Sequence, residues 1–72
     1  MDLIHDQMPT DYLKNELAAW GDAATARVEF SVVLGMEAGC APANKDEQEA
    51  FAAWKVMLRI VDILVKRGEM NV

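Results

Sequence analysis

The stretch that decides the fold runs from Asn44 to Gly68, NKDEQEAFAAWKVMLRIVDILVKRG. Both ends of a helix are written into it. Asn44 is a strong N-cap residue, and Glu47 three positions later completes a capping-box pattern. Asp46, Glu47 and Glu49 place negative charge at the positive end of the helix dipole, and Lys66 and Arg67 place positive charge at the other. Gly68 supplies the left-handed stop. At about 100° per residue, Gln48, Lys55, Arg59, Asp62 and Lys66 fall in one stripe roughly 60° wide. Phe51, Trp54, Met57, Leu58, Val61, Leu64 and Val65 fill the opposite side, and Ala52, Val56, Ile60 and Ile63 widen it. An apolar face of that width needs more than one neighbouring helix.

Working back from Asn44, Gly39–Ala43 (GCAPA) reads as a turn: a glycine C-cap, then Pro42 to prevent continuation. Before it, Pro9 and Thr10 open a helix expected to run over about 11–38. Leu13, Leu17, Trp20, Ala24 and Val28 share one face, and Asp11, Lys14, Asn15, Asp22, Thr25 and Glu29 the other. Gly21 interrupts it at a cost of about 1 kcal/mol relative to Ala, which suits a close crossing or a slight bend. Phe30–Val33 is rich in β-branched residues, but no second strand exists to pair with it, so helix is the expectation. Past Glu29 the polar stripe disappears, the mark of a segment buried on all sides. Leu3, Ile4 and Met8 in residues 1–9 suit a flexible or strap-like lead-in.

The expected architecture is therefore all-α: an antiparallel hairpin of helices over about 11–38 and 45–67. A chain of 72 residues with 53% hydrophobic content is one small domain carrying surplus apolar surface. With Cys40 its only cysteine, a disulfide cannot stabilise it, so obligate assembly into a homodimeric four-helix bundle is the expectation. LAAW at Leu17–Trp20 and FAAW at Phe51–Trp54 recur 34 residues apart, but the similarity stops after four residues and marks no repeat.

Charge and motif content narrow the function classes. Residues 1–49 carry ten acids and three bases; residues 50–72 carry four bases and two acids. The acidic majority argues against nucleic acid as a partner, since counterion-release binding needs clustered Lys and Arg. The N-terminus has acids where a signal peptide needs bases, and no apolar run is long enough to span a membrane. A soluble, cytoplasmic protein is expected. One histidine (His5) and one cysteine do not make a zinc site, neither long helix carries the Glu-x-x-His of a di-iron bundle, and no phosphate loop is present. No cofactor, metal or catalytic residue is expected, and the chain is not read as an enzyme.

What remains is surface. Trp20, Arg27, Phe30, Val33, Met36, Val56, Arg59, Ile60 and Ile63 are the candidate interface or partner-binding residues. Arg27 lies within the apolar arc; buried, it needs a carboxylate or carbonyl from another helix or subunit, and the alternative is that it snorkels at the edge of an interface. The leading expectation is a small acidic protein-interaction module, an adaptor or inhibitor of the size that phages and mobile elements often encode, binding itself and another protein. A helical oligomer holding a small ligand near Arg27 or Arg59 is the alternative. A nucleic-acid-binding hairpin dimer using the strip from Lys55 to Lys66 is the weakest reading.

Overall fold

The computed structural model describes residues 7–70. Its elements are α1 (Thr10–Thr25), α2 (Phe30–Glu37) and α3 (Lys45–Lys66), with no strand among the described residues. The all-α expectation holds, and Phe30–Val33 is helical. Of the lead-in, Met8 packs against the main core cluster; Leu3, Ile4 and His5 lie outside the described residues.

The ends of α3 follow the sequence signals closely. The Asn44 side-chain oxygen accepts from the Glu47 backbone N–H at 2.9 Å, while Glu47 Oε1 accepts from the Ala43 N–H at 3.0 Å. The reciprocal bond of the capping box thus reaches one residue further back than its usual form. At the other end Gly68 takes φ 74°, and Glu69 donates to Leu64 O at 2.9 Å, closing the last turn. Gly39 does the same for α2 with φ 117°, and Cys40 donates to Gly35 O at 3.0 Å.

The single helix expected over about 11–38 is instead two helices, broken at Ala26–Glu29. The hairpin therefore has three helical elements rather than two. Length is one reason. A continuous helix over 11–38 would be about 42 Å long, against about 33 Å for the 22 residues of α3. Its apolar end would project beyond any partner. Local chemistry assists: the Thr25 hydroxyl donates to Gly21 O at 3.2 Å, a back-bond that bends helices. Glu29 then adopts an extended conformation, φ −69° and ψ 148°, and α2 starts in a new direction.

α1 lies antiparallel to α3. Leu13 near the start of α1 packs with Ile60, Ile63 and Leu64 near the end of α3, and Arg67 reaches Thr10 at 3.3 Å. Leu17, Trp20, Val56, Met8 and Met70 pack around this cluster. The break lets α2 form a second cluster in which Val33 and Met36 close over Ala50, flanked by Val28, Val32, Phe51 and Trp54. Fully burying one such aliphatic side chain contributes about 1.5–3 kcal/mol, enough to offset the few residues lost from a continuous helix.

Candidate functional site

The inward side of α3 is Ala50, Ala53, Ile60, Ile63 and Leu64. This is rotated from the face centred on Phe51, Trp54, Leu58 and Val65 that the polar stripe alone suggests. The small side chains Ala50 and Ala53 allow the neighbouring helices to approach closely, and the bulkier residues one position later are carried outward. Leu58 and Val65 are 37% and 39% exposed, while Ile60 is fully buried. The outward apolar strip continues onto α2, where Phe30 is 51% and Leu34 45% exposed.

Two contacts fix the upper end of this strip. Phe30 and Trp54 meet edge to face with ring centroids 5.6 Å apart. The Trp54 indole N–H donates to Glu37 Oε2 at 2.8 Å, so the one polar atom of the ring is satisfied while its apolar body stays half-buried. Along the polar margin, the Lys55 ammonium lies over the Phe51 ring at 4.5 Å, and Lys66 pairs with Asp62 at 2.9 Å.

The nine candidate residues separate into groups. Val33, Met36 and Ile60 are buried in the chain's own core and present nothing to a partner, and Ile63 is buried there with only an edge on the groove beside Arg59. Trp20 and Val56 are half-buried against the Leu13–Ile60 cluster. Phe30 is exposed on the strip, and Arg59 is exposed on the polar face. Arg27 finds its carboxylate within the chain: Nη1 lies 3.4 Å from Asp46 Oδ1, with both side chains more than half exposed. It stands in the break between helices rather than inside an apolar arc, which removes the desolvation cost.

Leu34, Leu58 and Val65 were not among the candidates. The signal that could have found Leu58 and Val65 is the spacing of Phe51, Trp54, Leu58, Val61 and Val65, alternately three and four residues apart. That is a coiled-coil seam, and it runs beside a second one, Ala50, Ala53, Met57, Ile60 and Leu64, with the same alternation.

Two open grooves lie among the described residues. One, of about 300 Å³, is lined by Arg59, Asp62, Ile63, Lys66 and Arg67; the other, of about 350 Å³, includes Trp20, Arg27, Asp46 and Glu49. No group of three or more metal-ligating side chains occurs among the described residues, and no described helix is long and apolar enough to cross a membrane. These features define a helical domain with an exposed apolar strip. No protein-family model, curated protein or solved structure matches the chain.

Proposed function

We propose that this chain is a small acidic protein-interaction module that forms a homodimeric four-helix bundle and acts by binding another protein, as an adaptor or inhibitor, not by catalysis. The observation that carries the reading is the exposed apolar strip of Phe30, Leu34, Leu58 and Val65. A strip of this kind, bordered by charged side chains, is the usual mark of a protein contact. The lone exposed thiol of Cys40 suits a reducing compartment such as the cytoplasm.

Magnitudes set the strength of self-association. Each of the four side chains has roughly half its surface left to bury, worth roughly 0.7–1.5 kcal/mol apiece. Two copies bring eight, or roughly 6–12 kcal/mol, against an association cost on the order of 4–15 kcal/mol. The balance supports a reversible dimer rather than an obligate one, because Leu13, Ile60, Ile63 and Leu64 already form a core within one copy. Light scattering across the micromolar range tests this. The expected mass rises with concentration from 8.0 kDa towards twice that value. A mass fixed at that of one chain up to high micromolar concentration would refute the dimer.

A further inference from the structure

The apolar strip has a direction, a free length and a charge pattern, and together these select one way for a second copy to lie on it. Resting on the dimer reading above, we propose that α3 pairs antiparallel with α3 of a second copy along Leu58–Val65, placing Leu58 against Val61 of the second copy and Lys55 against Asp62 of the second copy.

The seam comes first. Ala50, Ala53, Ile60 and Leu64 are buried against α1 and α2, and half-buried Met57 lies beside Gly21 of α1. The parallel seam one residue later, Phe51, Trp54, Leu58, Val61 and Val65, has the same heptad spacing and is only partly covered by the described residues. Its first two positions are taken, because Phe51 and Trp54 pack against the Val33–Met36–Ala50 cluster, and Phe30 lies against Trp54. The free length therefore begins at Leu58.

Charge sets the orientation. Lys45, Asp46, Glu47 and Glu49 give the start of α3 a net charge of −2, and Lys55, Arg59, Asp62, Lys66 and Arg67 give the remainder +3. Parallel helices would set like ends together. Antiparallel helices instead let Lys55 of one copy lie beside Asp62 of the other, and they also oppose the two helix dipoles favourably.

Register follows from what borders the seam. Lys55 and Asp62 are seven residues apart on the same exposed flank. With Leu58 facing Val61 of the second copy, each Lys55 comes alongside Asp62 of the other chain, twice per dimer by symmetry. Shifting by one heptad sets Lys55 beside its own counterpart and requires the seam positions that α2 already covers. The chosen register also brings Trp54 level with Val65 of the second copy. Exposed Phe30 and Leu34, on the helix beside Trp54, then cap the far end of the partner's seam.

The test is sedimentation equilibrium on the full chain and four variants, with circular dichroism as the fold check. Leu58→Glu is expected to abolish dimerisation while retaining the helical signal, because Leu58 lies outside both core clusters. Val65→Glu repeats the test should Leu58→Glu unfold. Lys55→Glu and Asp62→Lys are each expected to weaken the dimer about threefold or more, and the double variant to restore most of the loss. Rescue has no explanation within one chain, since residues 55 and 62 are two helical turns apart. A wild-type chain that stays monomeric would overturn both this proposal and the dimer reading, leaving the strip to another protein or to residues 1–6. A dimer that survives both glutamate substitutions, or a double variant as weak as the single ones, would overturn the antiparallel α3 seam alone and leave the dimer standing.

Discussion

Replacing Leu64 with alanine is the sharpest test of how α3 is rotated in its own fold. Leu64 is fully buried with Leu13, Ile60 and Ile63, whereas Val65 beside it and Leu58 almost two turns earlier are partly in water. The substitution removes three buried carbons at about 0.8 kcal/mol each, or roughly 2.4 kcal/mol. A residual cavity adds about 24 cal/mol per Å³. Met8 and Met70 pack against this cluster, and flexible methionines can collapse into part of the space. The expected cost is therefore about 3 kcal/mol, within the usual range of about 2–5 kcal/mol for such substitutions. A chain of 72 residues has a total stability of roughly 4–11 kcal/mol, so the loss is a large fraction of it. Urea unfolding followed by circular dichroism at fixed protein concentration measures it, with Leu58→Ala as the comparison. The midpoint should fall steeply for Leu64→Ala at an unchanged slope. A Leu64→Ala cost below about 1 kcal/mol, or a Leu58→Ala cost as large, would refute this placement of the core.

Two further substitutions test the local reading of the helices. Asn44→Ala removes the 2.9 Å bond that caps α3 and should cost about 0.5–2 kcal/mol in the same unfolding assay, with Asn44→Asp close to wild type. Gly21→Ala should stabilise the chain by up to about 1 kcal/mol, because a Cβ there meets only Met57 Sδ at an ordinary 3.5 Å; a loss of stability would show that α1 and α3 are closer than this.

Much of the fold was legible because its signals are local. The start and end of α3 depend on Asn44, Glu47 and Gly68, and each acts within one turn of its own position. The Gly39 stop and the antiparallel path of α1 were legible for the same reason. The break at Ala26–Glu29 was not, because neither glycine nor proline marks it. Its trace was the disappearance of the polar stripe past Glu29. By periodicity alone that change suits burial of one continuing helix as well as a helix that starts in a new direction, which is what it marks. The length of α3 and the burial of α2 against it, both tertiary properties, make the bend favourable.

The candidate surface was harder to read, for a physical reason that concerns the width of the α3 apolar arc. Periodicity gives the width of an apolar face but not the direction from which neighbours arrive. When the arc exceeds half the circumference, two adjacent heptad seams fit within it, and either could face α1. Side-chain size decides between them. The seam through Ala50 and Ala53 admits close neighbours at the start of α3, and the one through Phe51 and Trp54 does not. Large residues at those two positions therefore turn the second seam away from α1, and past the part that α2 covers Leu58 and Val65 are exposed while Ile60 and Leu64 are fully buried. The same choice separates folding from association. A substitution in the first seam changes the stability of one chain, and a substitution at Leu58 or Val65 changes what that chain can bind.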